Sequence, residues 1–565
     1  MTISTLTGTY FVTVTPGSGN YGTTLTITDA AEIEPPAGAN GVYVSASITG
    51  VSLDNAGIIR SGNGFDNGVV LESTASFTNS GLVSGGAFDP SDTQAPHGIG
   101  IYFAAGGTLI NSGTIAGGTA GIGVDLGTGG NVTNRGNIDG GAGNFFLNTA
   151  NPESGGAGIV VGTSTLADTT ITNYGAIAGG YGQGTPIGIA GGGGIGVSLA
   201  GSGTLINDGS ITGGKGGYVD YSYSNGSSVA GRGGAGVNLN GGTLVNAGTI
   251  TGGAAGPVQI SGPAGIAGDA VQFGSLAGTL VDDPGAIFSG DVVANSAVND
   301  MLELAGTAAG TLTGLGTQFT GFTTLDVAAA SDWTLQHVNT LGSATNLTVT
   351  GTLNNVSAFI DTGTATVETA GVLRSAVTGV TLVNGVTLAG GDLIDTADAK
   401  FIVGSDAAGA AAGKFTVKAD GAIAGFGYIA GAAVVDNGNL TASGGALDVT
   451  DAVSGVGRLT IDIGASLVLG AGVSGVKMVF AAGGDEYLKL DAVGSVSSFI
   501  VGFAATDKID LKSILSTKLE YAGHTLEVFD GTKEVAALDF LGAYTLGDFQ
   551  RSSDGHLGTL ISFHS

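Results

Sequence analysis

Residues 109–118 read LINSGTIAGG, and close copies of the phrase recur along the first half of the chain. FTNSGLVSGG starts at Phe77, VTNRGNIDGG at Val132 and ITNYGAIAGG at Ile171. LINDGSITGG starts at Leu205 and LVNAGTITGG at Leu244, with a weaker LDNAGIIRSG at Leu53. Each copy has an apolar residue two before an Asn, a Gly two after it and an aliphatic four after it. A second phrase precedes most copies: GIGIYF (98–103), GIGVDL (121–126), GAGIVV (156–161), GIGVSL (194–199) and GAGVNL (234–239). The closest pair, Asn111 and Asn134, lies 23 residues apart, enough for one coil of two or three short strands. The pattern predicts an all-β chain, a right-handed parallel β-solenoid (β-helix) closed by a small C-terminal β cap. Alternate Val, Ile and Leu face inward, and Gly turns the corners.

In that coil Asn79, Asn111, Asn134, Asn173, Asn207 and Asn246 stack one above another, their amides bonding along the stack as in cross-β ladders. The competing reading makes each Asn a solvated turn former that tolerates left-handed angles.

Composition supports a folded, sheet-rich chain. Of 565 residues 109 are Gly, 42% are hydrophobic and 11% charged, against the low hydrophobicity and high charge of disorder. There is no Cys, so disulfides and thiolate metal sites are excluded. A net charge of −29 argues against nucleic acid. No apolar run reaches the about 18 residues of a membrane span. The start, MTISTLTGTYFVTVTPGSG, lacks the basic and apolar regions of a secretory leader and reads as strand.

The spacing between a closing Gly-Gly and the next GxG varies from two residues after Gly118 to 19 after Gly214. Insertions therefore collect at one corner. They carry Tyr218, Tyr221 and Tyr223 in one case, Phe145 and Phe146 in another, as candidate contact residues. The alternative is that these rings fold back onto the solenoid wall.

From about residue 285 the repeat changes. NDMLELAG and FTGFTTLDVAAASDWTL (within 299–335), residues 421–470, DEYLKLD (485–491) and FIVGFAATDKIDLKSI (499–514) resemble the β-solenoid repeats of autotransporter-like and haemagglutinin-like surface proteins. The resemblance implies a secreted structural or adhesive protein of a Gram-negative cell surface and assigns no catalytic residues. The C-terminal segment ending LGTLISFHS resembles the export region of type I secretion substrates instead of a membrane barrel. The calcium-binding nonapeptide of such substrates is not matched by GGAGNFFLN (140–148). The boundaries implied are 1–40 for an N-terminal strand or cap, 41–290 for the Asn/Gly solenoid, 291–515 for its irregular continuation and 516–565 for the cap with its export signal.

Only Arg60, Arg135, Lys215 and Arg232 of the 16 Lys and Arg precede residue 374. Acidic clusters at FDPSD (Asp89, Asp92), VDDP (Asp282, Asp283) and GGDEY (Asp485, Glu486) are candidate calcium ligands, with solvated loops as the bland alternative.

An enzyme is the rival class. A glycosidase needs two facing carboxylates; Asp125 and Asp139 share a coil with unknown facing, and Trp333 sits in an apolar strand. The five His show no ligand spacing. The expectation is a non-enzymatic extracellular protein that polymerises with itself as a fibre, biofilm-matrix element or surface layer. The alternative is a lone adhesin that binds cell-surface polysaccharide. Polymerisation would use open strand edges at TYFVTVT (9–15), HTLEVF (524–529) and GTLISF (558–563).

Overall fold

The computed structural model describes residues 3–64, 66–87, 98–144, 152–162, 169–185, 188–219, 228–258, 263–375, 379–395, 400–403, 414–419, 421–430 and 432–564. It is a parallel β-solenoid with a small antiparallel β cap at the C-terminal end of the stack, and it divides into two compact units.

The first unit comprises residues 1–302 and 318–322. From Val42 onward a coil typically has three short strands, as in Ile101–Phe103, Gly107–Asn111 and Thr114–Ala116. The GxG phrase opens the first of these, and the strands after its five copies lie within a ten-stranded sheet that runs from Val42–Val44 to Phe319–Thr320. Strand length explains the spelling. In Gly107–Asn111 the Leu109 and Asn111 side chains point inward while Thr108 and Ile110 face out. Phe77, Leu109, Val132, Ile171, Leu205 and Leu244 then stack in register as a buried apolar column. Coils stack at about 4.8 Å, so a corner that brings backbone against backbone has no room for a side chain. At Gly123 a Cβ would lie 2.7 Å from the Gly158 carbonyl oxygen of the next coil.

The second unit, residues 303–317 and 323–565, also has three strands per coil, for example Thr324–Val327, Asp332–Leu335 and Asn339–Leu341. Longer strands such as Asn439–Val449 pair with two different strands of the next coil, so they turn a corner without breaking. Trp333 is buried, donates its indole N–H to the Ala305 carbonyl at 2.9 Å and lies over Gly310, where a Cβ would meet the ring at 2.6 Å. It is a core residue.

In the cap, Lys518–Ala522, Thr525–Asp530 and Lys533–Leu541 form an antiparallel meander, and Phe549–Ser553 pairs with Thr559–Phe563. Phe503 anchors it, with Phe540, Phe549 and Phe563 at ring-centroid distances of 5.8, 6.1 and 6.0 Å.

Two of the expected edges are corrected here. HTLEVF lies in the middle strand of the meander, and GTLISF is flanked by Lys508–Leu511 and Phe549–Ser553. Neither offers a free edge. In the first unit the first strand is Ile3–Tyr10, paired in parallel with Thr24–Ile33, so TYFVTVT is strand only through Tyr10. Phe11 and Val12 follow it, exposed. No helix among the described residues is long and apolar enough to cross a membrane.

Candidate functional site

The six predicted asparagines are fully buried and directly bonded to one another. Asn79 Nδ2 donates to Asn111 Oδ1, Asn111 to Asn134, Asn134 to Asn173, Asn173 to Asn207 and Asn207 to Asn246, at 2.8–2.9 Å. Asn55, in the weak first copy, adds a rung by donating to Asn79 at 2.8 Å. The amide's remaining N–H is shared between the carbonyl two residues on and a carbonyl of the next coil, as Asn134 does with Gly136 and Ala176, both at 3.1 Å. These groups bond scaffold to scaffold, and all donate in the same direction along the stack. Ahead of Asn55 the register position is Ile27; beyond Asn246 it is Asp282.

The insertion corner is built differently from a set of loops. Residues 179–185 and 188–196 are two extended, glycine-rich segments. Along the first, Gly179, Gly182 and Thr185 donate N–H to Thr212, Lys215 and Tyr218 of the next coil at 2.8–2.9 Å, while Gly180 and Gln183 donate to Gly156 and Glu153 behind them. Along the second, Ala190, Gly193 and Gly196 donate to Val229, Arg232 and Ala235, and Gly191 and Gly194 to Gln183 and Gly180. Partners change every third residue, the period of a polyproline-II-type helix, which makes no internal hydrogen bonds and must pair with neighbours. Stacked coils thus make a two-layered fin. Gly is required wherever layers meet: a Cβ at Gly194 would sit 2.0 Å from the Gly156 oxygen.

The third position of each turn faces out. Along 212–218 the exposed residues are Thr212, Lys215 and Tyr218, and the glycines between them are buried. Tyr181, Ile189, Val229 and Ile266 are exposed on neighbouring coils. The Tyr218 ring lies against Gly184, where a Cβ would come within 2.4 Å of it. Ala190, Val219 and Ala230 bury a small apolar cluster with Val258 against it, further out along the fin. Tyr221, Tyr223, Phe145 and Phe146 lie outside the described residues.

The acidic candidates are scattered. Asp89 and Asp92 lie outside the described residues. Asp282 is buried at the ladder position, and burial, then the neighbouring Asp283, hold its carboxyl well above the ordinary value. Asp283 beside it is only partly covered. Asp485 is exposed with φ at 68°, whereas Glu486 is buried. Among the described residues no group of three or more His, Cys, Asp or Glu gathers as for a metal. Asp125 and Asp139 sit on strands of different sheets, Val124–Leu126 and Asn137–Asp139, and burial raises the pKa of each.

The chain matches no protein-family model, no curated protein and no solved structure. The features that sequence reasoning passed over are the Asn55 rung, Asp282 as its counterpart at the other end, and the fin. The fin's signal was present in residues 212–218, TGGKGGY, where Thr212, Lys215 and Tyr218 fall three apart among glycines.

Proposed function

We propose that the protein is an extracellular structural solenoid that associates with itself and presents the fin as its contact surface. The fin carries this reading: the coils commit their backbone groups to stacking, while selected side chains project from it on a bed of glycine. Apolar and aromatic residues held out of the core at regular intervals are the kind that anchor interfaces. Ile3–Tyr10 offers a second contact, since only Thr24–Ile33 pairs with it among the described residues, and Ile3, Phe11 and Val12 beside it are exposed. Edge addition between two such strands is β-augmentation. With HTLEVF and GTLISF already paired on both sides, end-to-end growth through those strands is no longer part of the proposal.

That closure favours a second reading, an adhesin working as single chains whose fin binds cell-surface polysaccharide. The repeat resemblance supports export to the surface of a Gram-negative cell in either case, by a type I route read from the C-terminal region.

Light scattering across a concentration series, with negative-stain microscopy, separates the two readings. Ordered assemblies lost in a Tyr181→Ser/Tyr218→Ser variant support self-association; monomers at every concentration leave the adhesin. Fusion of residues 516–565 to a reporter tests export, and a reporter retained in cells expressing a type I exporter excludes that route.

A further inference from the structure

We propose that Glu486 and Asp507 form a divalent-cation site. The segments GGDEYLKL and ATDKIDL occupy successive coils, with Tyr487 opposite Lys508 and Leu488 opposite Ile509. Glu486 and Asp507 each stand one residue before those paired strands, so the two acids are stacked neighbours. Their relative exposures are 1% and 0%. Asp507 Oδ2 accepts the Ala504 N–H at 2.7 Å, but Asp507 Oδ1 and both carboxylate oxygens of Glu486 have no hydrogen-bond partner. Three bare oxygens on two buried acids are unusual, because buried polar groups are nearly always paired.

Burial first, and then Glu486 beside it, hold the Asp507 carboxyl above the usual carboxylate range. A single shared proton joins one oxygen of each acid and leaves the second oxygen of Glu486 stranded. A divalent cation supplies the two positive charges that the pair lacks, and it coordinates the stranded oxygen as well. The donors are all oxygen, the preference of hard cations, and a buried position favours calcium over magnesium, which sheds its water reluctantly. The rest of the shell would be backbone carbonyls and water. Asp485 takes no part: its N–H donates to Thr506 Oγ1 at 2.8 Å, and its side chain is exposed. This inference stands whether or not the chains associate.

The test uses the full chain at neutral pH. Melting temperature is followed with calcium chloride or chelator, and terbium luminescence reports occupancy. The chain has 45 Asp and Glu, so diffuse binding is controlled by a Glu486→Gln/Asp507→Asn variant, isosteric and uncharged at the pair, and by Asp485→Asn. Calcium should raise the melting temperature of the parent and of Asp485→Asn by several degrees and leave the double variant unmoved. The terbium signal should fall in the double variant alone. An equal response in all three proteins overturns the site. So does a parent whose melting temperature is indifferent to calcium and whose terbium signal equals that of the double variant. Should the double variant fail to fold, terbium titration of Asp507→Glu decides: an affinity equal to the parent's overturns the proposal.

Discussion

Replacing Asn134 by Ala cuts the ladder at its centre. The loss includes its donations to Asn173 Oδ1 at 2.9 Å and to the Gly136 and Ala176 carbonyls at 3.1 Å. It also takes the acceptor from Asn111 Nδ2 at 2.8 Å and from the Gly136 N–H at 3.3 Å. Asn173 Oδ1 keeps the Gly175 N–H. Two donors are therefore stranded in a site with no exposure, and at about 1–3 kcal/mol each the expected cost is about 2–6 kcal/mol. Asn55→Ala is the internal control. No ladder residue donates to Asn55, but truncation strands the Gly57 N–H and also the Asn79 Oδ1 that Asn55 Nδ2 served, again two buried groups, so it should cost about as much. Neighbouring coils carry most of each other's stability in a solenoid. The assay is therefore urea denaturation with hydrogen exchange read at Gly107–Asn111, Asn131–Asn134 and Thr170–Asn173. An unchanged midpoint and unchanged protection at those strands would refute the ladder as a stabilising element. A cost for Asn55→Ala far below that of Asn134→Ala would refute the accounting by rung.

Three further outcomes are expected. Asp282→Asn removes a buried acid and places an amide opposite Asn246, so it should stabilise the first unit. Because the folded pKa of Asp282 is raised, the gain in melting temperature should be larger at pH 8 than at pH 4; a loss at both would sink the assignment. In the second unit burial raises Asp361 and Asp436 from 3.8 to about 6, against backbone N–H bonds that pull them down. Raised folded pKa values give stability that is complete below pH 3.8 and is lost as pH climbs through about 6. The slope of melting temperature over that window should flatten in Asp361→Asn/Asp436→Asn, and an unaltered slope would contradict it. In the fin, Gly194→Ala should expose amides of 179–196 to exchange, since its Cβ meets backbone at 2.0 Å, whereas Gly192→Ala, whose nearest neighbour is Ser154 Oγ at 3.4 Å, should not. Equal effects would mean the layers are not packed on glycine.

The parts of this fold that could be read from sequence are those where one phrase is spelled in every coil. Apolar, Asn and Gly recur at fixed offsets because inward columns and shared corners admit few residue types. Asn55 sits in a copy that closes on Ser-Gly, so the phrase blurs although the rung is intact. Asp282 is followed by Asp283 and Pro284, which made the copy look like an acidic loop. Alternation identified HTLEVF as strand but carried no information about what flanks it, because pairing partners are set by chain topology. Glu486 and Asp507 come from segments with little wording in common, and only the register of Tyr487 with Lys508 joins them.

The fin has a consequence for how such a protein can vary. Two positions in three are glycines packed against neighbouring backbones, while the third gives its carbonyl to the lattice and turns its side chain outward. Mutation can then rewrite Tyr181, Lys215 or Tyr218 without disturbing what holds the segment in place. Lengthening the fin only requires further triplets, added to every coil. A surface of this kind can drift quickly in what it recognises while its fold stays still. Selection on recognition would appear as substitutions with a period of three, set against a background of unchanging glycine.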